Sequence, residues 1–168
     1  AQVMVVNMID YRFNFTPVHR SIHAPFDFVK GLASVVKVAL EQTGKTISAD
    51  LTHVPVHAQA KKIAEKLLAA EQQTLIIGLQ AQQHQHAAEI FGLAQALADA
   101  TGASIMVMTE GANSQAAYEL NIAGDHSIVE MLEKNLKAYV LLGVEPELDI
   151  GLSALAKKAM QNAETVIA

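Results

Sequence analysis

The chain has no cysteine among its 168 residues. It therefore offers neither a disulfide framework nor thiolates for an iron-sulfur cluster or a structural zinc. Aromatic residues make up only 5% of it, which leaves little to stack on bases. The net charge of −5, with lysine and arginine scattered along the chain, predicts no nucleic-acid binding. Long apolar runs are missing as well. The stretch from Ala138 to Val144 is among the longest, far below the roughly 20 residues a membrane-spanning helix needs, and the start has no signal-peptide pattern. The expectation is a soluble, cytoplasmic protein with no direct membrane insertion. Charge itself is scarce: charged residues are 17% and apolar ones 51%, against about 25% charged in a typical domain. Part of the surface is thus expected to be covered by something else. Because strand-like runs stand directly at both ends, the sequence reads as a single domain, 1–168, excised from a longer polypeptide.

What is present is a rhythm of short apolar runs and helical patterns. Val3 to Met8, Thr74 to Leu79, Ser104 to Met108, Ala138 to Val144 and Thr165 to Ala168 are too short for helices. They mostly lack the alternation of a half-exposed strand, which points to strands covered on both faces, hence to a parallel sheet. Ser21 to Ala24 is a candidate edge strand. Asp27, Lys30, Ser34, Lys37 and Glu41 are spaced to draw a polar stripe down a helix ended by Gly44, with Phe28, Leu32, Val35, Val36 and Leu40 facing the sheet. A second helix is expected from Val56 to Ala70, with Ala60, Ile63, Ala64, Leu67 and Leu68 inward. A third, from His84 to Ala100, is so apolar that burial on two sides is expected. Ser127 with Glu130 forms a capping box, and Ser153 is placed to cap a last helix running to Asn162. The pattern predicts a three-layer α/β/α sandwich around a doubly wound, mainly parallel five-stranded sheet of Rossmann-like form.

Ligands of such a sheet bind beyond the carboxyl ends of its strands, which directs attention to Asn7–Tyr11, Gly78–Gln83, Thr109–Ser114 and Gly143–Glu147. The glycines there have a plain use in the sharp strand-to-helix turns, where glycine takes a positive φ without strain. No dinucleotide fingerprint, phosphate-loop lysine, nucleophile elbow or His-Glu-x-x-His pair occurs. The pairs His19/His23, His53/His57 and His84/His86 invite a metal reading, but prolines 17, 25 and 55 break the helical spacing and no carboxylate stands at a ligand offset. Surface histidines without a metal are expected. Asp10, Glu110, Glu145, Glu147 and Asp149 against Arg12, His84 and His86 make the expected mouth acidic, so a diphosphate there meets like charge. A carboxylate such as Asp10 has the alternative of accepting hydrogen bonds from guanine N–H groups.

At these loops the chain resembles a known family. Val5-Val6-Asn7-Met8-Ile9-Asp10-Tyr11-Arg12-Phe13-Asn14-Phe15, the loop Thr109-Glu110-Gly111-Ala112-Asn113-Ser114 and the stretch Leu136 to Glu147 are similar to the large peripheral-arm subunit of bacterial respiratory complex I, the NADH:quinone oxidoreductase, and so to the molybdopterin oxidoreductase superfamily. The resemblance implies a domain that cradles part of a molybdopterin guanine dinucleotide in the molybdenum enzymes and serves as scaffold, without that cofactor, in complex I. It places Asn7, Asp10, Gly78, Gln80, Glu110, Gly111, Asn113, Ser114, Gly143 and Glu145 at a vestigial cofactor pocket, with no catalytic residue and no metal ligand. It assigns iron-sulfur clusters to other domains of the parent chain. Its implied partners are those domains and neighbouring complex I subunits, on the cytoplasmic side and peripheral to the inner membrane. Two other functions share the pattern. One is part of the cofactor pocket of an active molybdoenzyme such as a formate dehydrogenase. The other is the central domain of a thiamine-diphosphate enzyme.

Overall fold

The computed structural model describes residues 2–122 and 124–168. By its internal contacts the chain divides into two compact units, one through Ala112 and one from Asn113 onward. Each is described by itself.

The first unit begins with β1 (Met4–Asn7) and β2 (His19–Ile22), which pair in parallel with Met4 opposite His19 and Asn7 opposite Ile22. Parallel neighbours need a crossover, and here it is the loop 8–18 rather than a helix. A single 3-10 turn (Pro25–Asp27), opened by proline at its first position, leads into α1 (Phe28–Thr43). Four valines are unfavourable in an isolated helix, yet Val35 and Val36 are completely buried, and it is burial that holds them helical. Gly44 ends the helix at φ 67°, where its N–H reaches Leu40 O and Glu41 O, the left-handed cap that glycine adopts without strain. The expected outward polar stripe fails at Ser34. That residue is fully buried and its hydroxyl accepts the His57 N–H at 3.3 Å, because a second helix start packs over it.

After α2 (Ala49–Thr52), α3 (Ala58–Leu68) turns Ala60, Ile63, Ala64 and Leu67 inward, as its pattern predicts, while Leu68, expected on the same face, is only half-buried. The His57 ring caps it by accepting the Ala60 N–H at 3.2 Å. β3 (Thr74–Ile77) is followed by α4 (Leu79–Gln82), α5 (Ala87–Thr101) and β4 (Ser104–Val107). β3 and β4 are parallel, with Thr74 opposite Ser104. α1 packs on α3 and α5, and their shared core includes Val35, Val36, Ala39, Ile63, Ala64 and Leu97. Met4, Val6 and Leu75 lie against the same core. α5 buries Ile90, Ala94, Leu97 and Ala98 but leaves Ala88, Gly92, Gln95 and Asp99 open, so it is covered on one side rather than the two expected. Alanine and glycine raise its mean hydropathy without needing burial.

The second unit holds α6 (Ser114–Glu119), α7 (Ile128–Glu133), β5 (Ala138–Val140), α8 (Pro146–Asp149), α9 (Ser153–Asn162) and β6 (Thr165–Ile167). Ser127 and Glu130 form the predicted capping box, with Oγ accepting the Glu130 N–H and the Glu130 carboxylate accepting the Ser127 N–H. Ser153 is the first helical residue of α9 rather than its cap, a place held by Leu152. β5 and β6 pair in parallel. Leu132, Ala156 and Ala159 are its buried core, packed by Tyr139, Ile150, Leu155 and Met160.

All five expected strands form, β2 lies two residues earlier than expected, and every described pairing is parallel. They close three two-stranded ladders, not the single five-stranded sheet that the sequence pattern suggests. Apolar runs report burial; they do not specify which backbone lies alongside, and strands of three or four residues bring few hydrogen bonds to a further neighbour. Among the described residues no helix is long and apolar enough to cross a membrane.

Candidate functional site

The turns after β1 and β3 carry the sequence-predicted positions of the first unit. Asn7 ends β1, and its carbonyl accepts the His23 N–H at 3.0 Å, holding the end of β2 to it. Asp10 lies three residues on. Its carboxylate accepts from Arg20 of β2, whose guanidinium also donates to Tyr11 O at 3.4 Å. Across the turn, Gln80 Nε2 in α4 donates to the Tyr11 hydroxyl at 2.6 Å. Asp10 and Gln80 are thus linked through Tyr11, while Gly78 is exposed and begins α4 at φ −83°. An added Cβ there meets nothing within 4 Å, so the backbone does not demand glycine. This corrects the turn argument for Gly78; for Gly143, at φ 63°, it holds.

The remaining positions follow their own elements. Glu110 is exposed, and Gly111 accepts the Thr109 hydroxyl at 3.1 Å through its carbonyl. In the second unit, Asn113 is the N-cap residue of α6, without a side-chain cap bond, and Ser114 is its first residue. Gly143 follows β5. Glu145 precedes Pro146 of α8, and its N–H donates to the Asp149 carboxylate at 2.8 Å. The carboxylates grouped as one acidic rim therefore divide, Asp10 and Glu110 in one unit and Glu145, Glu147 and Asp149 in the other.

Beside the Asp10 turn an open cavity of about 430 Å³ is lined by Met8, Pro25, Phe26, Gln80, Gln83, His84 and Gln85. His84 Nδ1 accepts the His86 N–H at 3.0 Å, so Nε2 carries the proton toward Pro25 O at 3.1 Å. Both ring nitrogens are thus engaged. The lining offers amides, an imidazole and an exposed phenyl ring but no lysine or arginine. Arg20, the cation that the sequence reading missed, is already committed to Asp10. Its signal was its scarcity: the chain has two arginines, Arg12 and Arg20.

Two of the three histidine pairs differ from their spacing. His19 and His23 belong to an extended segment, and His53 and His57 bracket the gap between α2 and α3. The rings that meet are His23 with His57, centroids 5.0 Å apart, and His84 with His86 at 5.6 Å. Ser21 Oγ lies 2.8 Å from His23 Nε2, a nucleophile-to-base distance. With Ser21 only 3% exposed, no substrate reaches it, and the pair is structural. Burial, then the neighbouring His57, lowers the His23 pKa below its ordinary 6.5, with Asp27 opposing. The expectation of surface histidines is corrected here, since His23 and His57 are half-buried and His57 Nε2 is buried without a hydrogen-bond partner. Among the described residues no three His, Asp or Glu side chains gather as a metal set.

Comparison with known proteins adds one identification. The family model for molybdopterin oxidoreductases matches residues 38–168, and the chain belongs to that family; it is an oxidoreductase-related domain. The match does not include the Val5–Phe15 segment that carries part of the resemblance. No curated protein and no solved structure matches the chain. The family's cofactor is a dinucleotide whose diphosphate needs cations or a row of backbone N–H groups. The cavity beside the Asp10 turn has no lysine or arginine in its lining, so it offers a diphosphate no side-chain cation; its glutamine amides suit a base edge.

Proposed function

We propose that this domain is a non-catalytic structural part of the large electron-transfer subunit of the NADH:quinone oxidoreductase, respiratory complex I, in which the cofactor mouth of the molybdopterin family holds no cofactor. The observation that carries the reading is the closed turn after β1. Arg20 is held by Asp10, Tyr11 by Gln80, and the adjoining cavity has no cation in its lining. A diphosphate brought there finds no lysine or arginine in the lining to offset the loss of its hydration. The absence of cysteine supports a division of labour in which iron-sulfur clusters sit in other domains of the parent chain and electrons pass there. The three motif segments support complex I within the family, and with it a cytoplasmic position peripheral to the inner membrane, docked on other domains and subunits.

One observation favours a second reading, a share in the molybdopterin guanine dinucleotide pocket of an active molybdoenzyme. Gln80, Gln83 and Gln85 line one cavity, and glutamine amides are a donor and acceptor set suited to a guanine edge. Family membership weighs for these two readings over the thiamine-diphosphate one. A thermal-shift titration with guanosine diphosphate separates them. The structural reading predicts no change in melting temperature at 100 µM. A ligand at about a hundred times its Kd adds about 2.7 kcal/mol, so a clear rise that Gln80→Ala abolishes sinks the structural reading in favour of the second.

A further inference from the structure

We infer that the crossover between β1 and β2 is a docking surface for an acidic polypeptide segment of a partner protein. Residues 11–20 hold both of the chain's arginines and three of its Phe and Tyr residues, and contain no carboxylate, in a chain whose net charge is −5. The aromatic rings alternate along the loop and are arranged on one another. Tyr11 meets Phe13 edge-on at 6.4 Å, and Phe13 stacks on Phe15 at 5.0 Å. The Arg20 guanidinium lies 5.8 Å above the Phe13 ring. Tyr11 and Phe15 stay 42% and 49% exposed although burying such rings is favourable by well over 1 kcal/mol each. A loop that spends its aromatic residues on the surface, and orders them beforehand, has the composition and preorganisation of a binding hot spot.

Charge decides the partner. The carboxylates on either side of the patch are already paired, Asp10 with Arg20 and Asp27 with Lys30 at 3.9 Å. Arg12, exposed at the centre of the aromatic run, therefore adds a positive charge that the flanking acids do not cancel. A complementary segment carries Asp or Glu beside apolar side chains. A single-stranded nucleic acid is disfavoured because the net charge of the chain repels phosphates, and one uncommitted arginine releases too few counterions. The patch lies outside residues 38–168, which carry the family match, and the side chains that carry its charge and exposure, Arg12 and Phe15, take no part in the bonds of the turn after β1.

The test is fluorescence anisotropy of the whole chain against a labelled peptide of about a dozen residues alternating Asp or Glu with Leu or Phe. Its Asn/Gln counterpart and an oligothymidine of similar length serve as competing probes. The inference expects saturable binding of the acidic peptide only, weakened at least about tenfold by Arg12→Glu and by Phe15→Ser, and unchanged by Lys61→Glu on the exposed face of α3. Arg12→Glu alters an exposed side chain, so an unchanged circular dichroism spectrum is expected, and it carries the test even where Phe15→Ser fails to fold. No saturable binding of the acidic peptide up to 1 mM overturns the inference. Equal loss with Lys61→Glu, or tighter binding of the oligothymidine, overturns it too. The guanosine diphosphate titration is unaffected by any of these results, so the two proposals fail separately.

Discussion

The two units contrast in what their helices bury. In the first, α1, α3 and α5 are long enough to cross and share a core in which Val35, Val36, Ala39 and Ala64 are wholly enclosed. In the second, α6 and α7 have six residues each, α8 only four, and α9 alone reaches ten, and among the described residues the buried core is Leu132, Ala156 and Ala159. Several of its other large side chains stay outside: Leu142 is 87% exposed and Leu148 79%. Both regions are rich in apolar residues, so hydrophobicity alone does not make a core. A core needs elements long enough to bring several apolar faces to one place, and a unit this small supplies few of them. The second unit is therefore expected to rest on a few contacts and one good cap, the first on many contacts.

Breaking the contrast starts where the effect is largest. Leu132→Ala removes the biggest buried side chain of the second unit, at a cost of about 2–5 kcal/mol. Amide resonances of residues 113–168 are expected to collapse in an NMR spectrum while those of α1 and α5 persist; a fully dispersed spectrum contradicts the contrast. Ile63→Ala carries a similar cost of about 2–5 kcal/mol, but the first unit is expected to absorb it, with a lower denaturation midpoint and an unchanged spectrum. Next is Ser127→Ala, which opens the capping box and is expected to destabilise the second unit by about 0.5–2 kcal/mol, read as faster hydrogen exchange in α7 alone. The smallest effect is on pH. The folded chain holds His23 at a lowered pKa, chiefly through burial and His57, against Asp27. The unfolded chain then binds the proton first, so this share of the first unit's stability is complete above pH 6.5 and lost as pH falls below it. His23→Gln is expected to flatten that slope in a series of melts from pH 7.5 to 5; an unaltered slope locates the titration elsewhere.

Much of the fold was legible locally. Gly44 as a helix stop, the inward face of α3 and the Ser127–Glu130 box follow from spacing and residue type, because each depends on neighbours within one or two turns. Ser34 was misread for the complementary reason. Its place in a polar stripe is a fact about one helix, whereas its burial depends on the His57 N–H arriving from another. In the candidate site the sequence marked Asp10 and Gln80, but neither the Arg20 that binds the first nor the Tyr11 hydroxyl that meets the second. Those bonds join positions 10 and 69 residues apart in the chain. The histidines show the same limit: spacing paired His19 with His23, and packing paired His23 with His57.

The sequence by itself determined the alternation of strand and helix, the absence of thiolate chemistry, the helix stop at Gly44 and the helix start at Ser127, since backbone preference, cap chemistry and composition are local quantities. Tertiary structure alone decided that the strands close three short ladders, that Arg20 is committed to Asp10, and that the aromatic crossover is ordered at the surface. Each of these is an encounter between residues distant in the chain, and its energy depends on a geometry that periodicity does not encode.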